Sequence, residues 1–121
     1  MILNIVKLKN FLPPRLPYKR AAKKILGKSY ELDLFFVKSS DMKNLNKHCR
    51  KLNKSTNVLS FALSRTAGQL VFDPALIKKE AEFYGENFKK YFWRIFLHGI
   101  LHLKGFRHGR KMDAAESKIK I

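Results

Sequence analysis

At 121 residues, with 45% apolar side chains and a single cysteine, the chain is sized for one domain, residues 1–121, without an intrachain disulfide. Its 10 Phe, 4 Tyr and 1 Trp can fill a core, which excludes a disordered chain, while 26 Lys and Arg against 9 Asp and Glu give a formal charge of +17. A domain this basic repels itself and calls for a polyanionic partner, with nucleic acid ahead of an anionic membrane surface. A densely charged, merely solvated surface is the bland alternative.

The basic residues are spread through the chain. Lys7, Lys9, Arg15, Lys19, Arg20, Lys23, Lys24 and Lys28 fall in the first thirty residues, which hold no acid. The opening residues, MILNIVKLKNFLPP, lack both the basic leader and the long apolar run of a signal peptide. The greasiest stretch, Tyr91 to Leu103, is interrupted by Arg94, His98 and His102 and is too short to span a bilayer. A soluble, cytoplasmic protein with no membrane partner is therefore expected. Cys49 is expected to be a small buried hydrophobe without a catalytic role.

In chain order, residues 2–8 form an apolar run suited to a strand, and Pro13, Pro14 and Pro17 interrupt regular structure after it. Arg15 to Leu26 is expected to be a basic helix stopped by Gly27. Residues 30–37 alternate as a strand should. Ser39, Ser40 and Asp41 are N-cap candidates for a helix over 41–50, with Leu45 and Cys49 on one face. Residues 57–63 and 69–72 are expected strands joined by a turn containing Gly68. Asp73-Pro74 opens a helix that ends near Gly85, since proline costs nothing in the first turn. Glu86 to Leu103 is the longest helix, stopped by Gly105, and a short one is expected from Lys111. The order β-α-β-α-β-β-α-α-α predicts an α+β fold: a small mixed β-sheet of about four strands packed with helices, and a metal-binding helix in the core.

Three of the four histidines lie in the window HGILHLKGFRH, residues 98–108. His98 and His102 are four apart on a helix, so they project from one face, one turn apart. Gly105 can take the left-handed conformation that ends a helix, and the turn it permits returns His108 toward the other two. Three neutral imidazoles form a tripod for Zn²⁺ with a fourth position open to water. Histidines and glycine match the metzincin spacing, H-E-x-x-H-x-x-G-x-x-H, but Gly99 occupies the place of the general-base glutamate. A degenerate metalloprotease is disfavoured on that ground. Gly99 also has a second explanation, close packing of the helix on a neighbouring element.

The helix is apolar nearly all round: Phe88, Phe92, Ile95 and Phe96 lie along one side, and Trp93, Leu97, Ile100 and Leu101 along another. It is therefore expected to run through the core.

The window resembles the H-G-x-L-H-L-x-G-y-D-H signature of the YbeY family, bacterial endoribonucleases of rRNA maturation and ribosome quality control. LNKHCRKLNKSTNVLSFA, residues 45–62, is similar to that family's L-N-x-x-y-R…T-N-V-L-S-F-P segment, and GQLVF at 68–72 to its G-D-I-V strand. The likeness covers about residues 45 to 108. It implies His98, His102 and His108 as ligands of one zinc ion beneath a positive cleft. It also implies Arg50 as the basic residue at the scissile phosphate, and rRNA and the ribosomal subunit as partners. Lys47, Lys51, Lys54 and Arg107 are candidates for tracking the RNA backbone, although each alone could be solvated surface. Phe61 is assigned to the core ahead of base stacking.

Three positions depart from the family pattern. Arg107 and Gln69 stand where it has Asp, and Ala62 where it has Pro, so weakened catalysis is one expected consequence. The rival is a non-catalytic, RNA-binding ribosome-assembly factor with a structural zinc, which needs a fourth protein ligand. His48, Cys49 and Asp113 are the candidates for that place.

Overall fold

The computed structural model describes residues 1–50 and 56–105. Among these residues, four strands and four helices follow in the order β1 (Ile2–Val6), α1 (Tyr18–Leu26), β2 (Glu31–Phe36), α2 (Ser39–Arg50), β3 (Val58–Ser64), β4 (Ala67–Phe72), α3 (Pro74–Phe83) and α4 (Phe88–Lys104). The expected final helix from Lys111 lies outside the described residues. The strands form one mixed sheet in the order β1-β2-β4-β3. β1 and β4 each pair with β2 in parallel, and β3 and β4 form an antiparallel hairpin. The α+β architecture expected from the element order is thus observed.

Alternation along the strands sorts side chains onto two faces. Leu32, Leu34 and Phe36 of β2 and Leu70 and Phe72 of β4 join the main core with residues of α1, α3 and α4. Phe36, Phe72 and Phe92 make a mutually contacting trio of rings, with centroids 5.0 to 5.8 Å apart. The opposite face holds a smaller cluster, Met42, Leu59 and Val71, flanked by Phe35, Val37, Leu45 and Phe61. Phe61 is therefore a packing residue. Two helical layers enclose the sheet, and α4 lies wholly on the larger side.

Several boundaries shift for physical reasons. α1 begins at Tyr18 rather than Arg15, because a residue before proline is pushed out of the helical region and Leu16 precedes Pro17. β1 stops at Val6 rather than Leu8, where its register with Phe35 ends; Asn10 then turns the chain at φ 64°. α2 starts at Ser39, and the Met42 N–H donates to the Lys38 carbonyl. Ser40 and Asp41 therefore lie inside the helix rather than capping it. Gly68 belongs to β4 and not to the turn, which is Arg65–Thr66. A Cβ on Gly68 would collide with the Tyr30 hydroxyl and lie 2.9 Å from a Leu103 methyl, so glycine is there to let helix and sheet close up.

The proline rule works as expected at α3. Asp73 is its N-cap, with Oδ1 accepting from the Leu76 N–H at 3.1 Å, and Pro74 follows in the first turn. Asp73 is fully buried, so this cap also fixes where β4 hands over to α3.

Candidate functional site

The candidate site is built on α4. Asn87 caps its start, accepting from the Lys90 N–H at 3.2 Å. Gly105 ends it in the left-handed conformation, φ 108° and ψ 3°, where its N–H bonds the carbonyls of His102 and Leu101. That closure is what the glycine in the histidine window predicts. Between the caps, Tyr91, Phe92, Ile95, Phe96, Leu97, Gly99, Ile100 and Leu101 are buried, so the helix does traverse the core.

His98 and His102 are both half-buried, and the Nδ1 of His98 is shut off from solvent. Tyr91, Ile95, His98 and His102 succeed one another at helical spacing along a single stripe. At its start the Tyr91 hydroxyl donates to Glu80 Oε1 of α3 at 3.2 Å, and Asn57 Nδ2 donates to the same oxygen at 3.1 Å. α3 is thus pinned over the beginning of the stripe, and the two histidines continue it toward Gly105. Burial and the Glu80 carboxylate push the Tyr91 phenol up to about 12.

Gly99 is explained by packing. A Cβ there would stand 2.9 and 3.0 Å from the two methyl carbons of Leu70, a fully buried residue of β4. Ser60 Oγ of β3 donates to the Gly99 carbonyl at 3.3 Å, tying the helix to the hairpin. A glycine that weakens a helix by about 1 kcal/mol is offset here by the close approach it allows. Within the 45–62 block, Asn57 and Ser60 bond α3 and α4 respectively, which spacing alone does not reveal.

The remaining candidates fall into three groups. Lys47 is exposed on α2, and Arg50 is the last residue of that helix. His108, Arg107, Lys51 and Lys54 lie outside the described residues, so the third proposed zinc ligand has no described position. Gln69 pairs with Asp33 and Phe61 and alternates with Leu70, so it faces away from α4. Ala62 is exposed near the end of the edge strand β3, where the register slips before Ser64.

Cys49 is exposed rather than buried, because it falls on the outer side of α2. Asn46, by contrast, is only 2% exposed. It sits one turn after Met42, and that spacing from an apolar neighbour was the available signal for it.

Among the described residues, no three of His, Cys, Asp or Glu come together as a metal site. His98 and His102 therefore do not gain His48 or Cys49 as a companion. His48 instead sets its Nδ1 2.7 Å from the Asn44 carbonyl of its own helix. The donor chemistry suits a divalent ion: two imidazoles one turn apart on a rigid helix supply half of a tetrahedral set. A structural site completed by His48 or Cys49 is disfavoured.

A mixed four-stranded sheet with a histidine-bearing core helix describes a small α+β domain built to present paired imidazoles at one helix end. The family described as Endoribonuclease YbeY matches residues 14–120. An Endoribonuclease YbeY of Buchnera aphidicola is 32% identical over 113 residues, covering 85% of this chain and 73% of that protein. Another, from Aliarcobacter butzleri, is 31% identical over 96 residues, covering 74% of this chain and 67% of its own length. A solution structure of a Thermotoga maritima protein shares the fold at a TM-score of 0.65 and 22% identity, covering 97% of this chain and 85% of that one. The chain belongs to the YbeY endoribonuclease family.

Proposed function

We propose that this chain, acting as a single domain over residues 1–121, is a zinc-dependent endoribonuclease that cleaves rRNA during its maturation in the cytoplasm, in contact with the ribosomal subunit. The observation that carries the reading is the pair of half-buried imidazoles on a core helix closed by a left-handed glycine, in a member of an endoribonuclease family.

His98, His102 and His108 would hold the ion. Bound there, it would supply Lewis acidity toward a phosphoryl oxygen and toward water. The chain's own part is to fix the two helical rings in place and to leave the Gly99 position without the carboxylate that peptide hydrolysis requires. Arg50 would stabilise negative charge on the phosphoryl oxygens, a task that suits a planar guanidinium fork better than an ammonium. Lys47, Lys51, Lys54 and Arg107 would track the phosphate backbone. The carboxylates replaced by Gln69 and Arg107 would leave a more positive, and slower, version of the site. Gln69 faces away from α4, so its effect would reach the imidazoles only through the sheet.

The test is metal content and rRNA-fragment cleavage for the wild type and His102→Ala, with and without chelator. Loss of both metal and cleavage in the variant is expected. Loss of the metal with unchanged cleavage removes the mechanism. Arg50→Ala is expected to slow cleavage while leaving the melting temperature in place; equal loss of both would make Arg50 a structural residue.

A further inference from the structure

α1 carries cations at both of its ends: Lys23 and Lys24 in the last turn suit the negative end of the helix, whereas those at its start do not. Its first turn carries Lys19 and Arg20 with no acid, and Pro17 at its N-cap makes no side-chain bond to the free N–H groups. Cations at the positive end of a helix are unfavourable. The like-charge pairs Lys19–Lys23 and Arg20–Lys24, four residues apart, add further repulsion. All four side chains are exposed, and among the described residues none makes an ion pair with a carboxylate.

Packing holds the helix in place instead. Tyr18, Ala21 and Ala22 are buried, and the Tyr18 ring lies 5.1 to 6.2 Å from Phe92, Trp93 and Phe96 of α4. The result is an acid-free row of exposed cations on a helix whose other side is anchored in the core.

We propose that the exposed face formed by Lys19, Arg20, Lys23 and Lys24 is a second RNA-binding surface that grips the phosphate backbone at a distance from the histidine stripe. Its separation stems from α4. Phe96, which meets Tyr18, and His98 are two positions apart, about 200° around the helix axis. Long RNA would therefore engage both sides of α4, and short RNA the histidine side alone. A lipid surface fits less well, because a helix that lies on a bilayer inserts its apolar side, and the apolar side of α1 is already packed on α4. The inference rests on the proposed RNA substrate, so its test reads binding separately from cleavage.

The experiment measures the affinity of the full chain for single-stranded RNAs of about 8 and about 40 nucleotides, at about 50 to about 200 mM salt. It compares wild type with the quadruple variant Lys19→Gln, Arg20→Gln, Lys23→Gln, Lys24→Gln. A charge-matched control carries Lys78→Gln, Lys79→Gln, Lys89→Gln and Lys90→Gln, four lysines exposed on α3 and α4.

The α1 variant is expected to bind the long RNA at least about tenfold more weakly, with the salt slope reduced by about 3. Its handling of the short RNA and its fold are expected to be unchanged. Equal weakening in the control would mean that net charge alone acts, and would overturn the proposal. So would unchanged long-RNA binding, or RNA binding that persists while sedimentation with anionic vesicles is lost. Should the quadruple variant unfold, Lys19→Gln with Arg20→Gln, which removes the first-turn repulsion, is expected to give half the slope change; no change there overturns the proposal as well. A wild type that binds RNA without cleaving it would refute the proposed catalysis and leave this surface standing.

Discussion

On one side of the sheet, Leu32, Leu34, Phe36, Leu70 and Phe72 disappear beneath three helices and a run of aromatic rings. On the other, α2 covers the strands through a smaller cluster whose buried members, among the described residues, are Met42, Leu59 and Val71. The thick side holds the helix that carries His98 and His102. The thin side holds the helix that ends in Arg50. A site assembled from both would pair rigidly seated imidazoles with a guanidinium on a lightly anchored element. In such a site, position would be held where distances must be kept, and adjustment would be left where a substrate has to be accommodated.

The sharpest way to break this comparison is to hollow out each side in turn. Phe92→Ala removes a fully buried ring that contacts Tyr18, Phe36, Phe72 and Phe88, and should cost about 4 kcal/mol in urea unfolding. Met42→Ala, on the thin side, should cost about 2 kcal/mol, because the smaller cluster collapses more readily around the gap. Equal losses would abolish the distinction. Asp73→Ala should cost about 1 kcal/mol through the lost α3 cap, and circular dichroism would place that loss in helix content.

The smallest effect is a pH signature. The Tyr91 phenol is raised from 10 to about 12 by burial and by Glu80, so the folded state holds its proton more tightly than the unfolded one. The stability this contributes is fully present below pH 10 and is lost as pH rises through about 12. Tyr91→Phe should therefore flatten part of the alkaline decline of the melting temperature between those values. An unaltered decline would show that the contact of α3 with the stripe is not what titrates.

Local features were legible in the sequence because their causes are local. Gly105 ends α4 in the left-handed region, Asp73-Pro74 starts α3, and the alternation of residues 30–37 maps onto the buried and open positions of β2. The histidine pair is a product of helical period alone. What the sequence concealed depends on distant partners. Gly68 reads as a turn residue until Tyr30 and Leu103 are brought over it. Asn46, a polar residue, is turned inward by α2, and only its spacing from Met42 hints at that. The insertion of β4 between β2 and β3 involves strands far apart in the chain, and no periodicity encodes it. The role of Gly99 stood between chemistry and packing, and Leu70 decides for packing.

The contact between Gly99 and Leu70 also bears on how an ion would be captured. With no side chain at Gly99, α4 seats directly on the Leu70 side chain of β4, a contact closer than any larger residue would allow. The helix itself sets the spacing of its two imidazoles, and this contact sets where they sit over the sheet, so both are settled when the protein folds, before any cation would arrive. Recruitment would then draw little on ordering these two groups, so filling Leu70's neighbourhood, as in Gly99→Val, should weaken metal uptake even though no ligand has been touched.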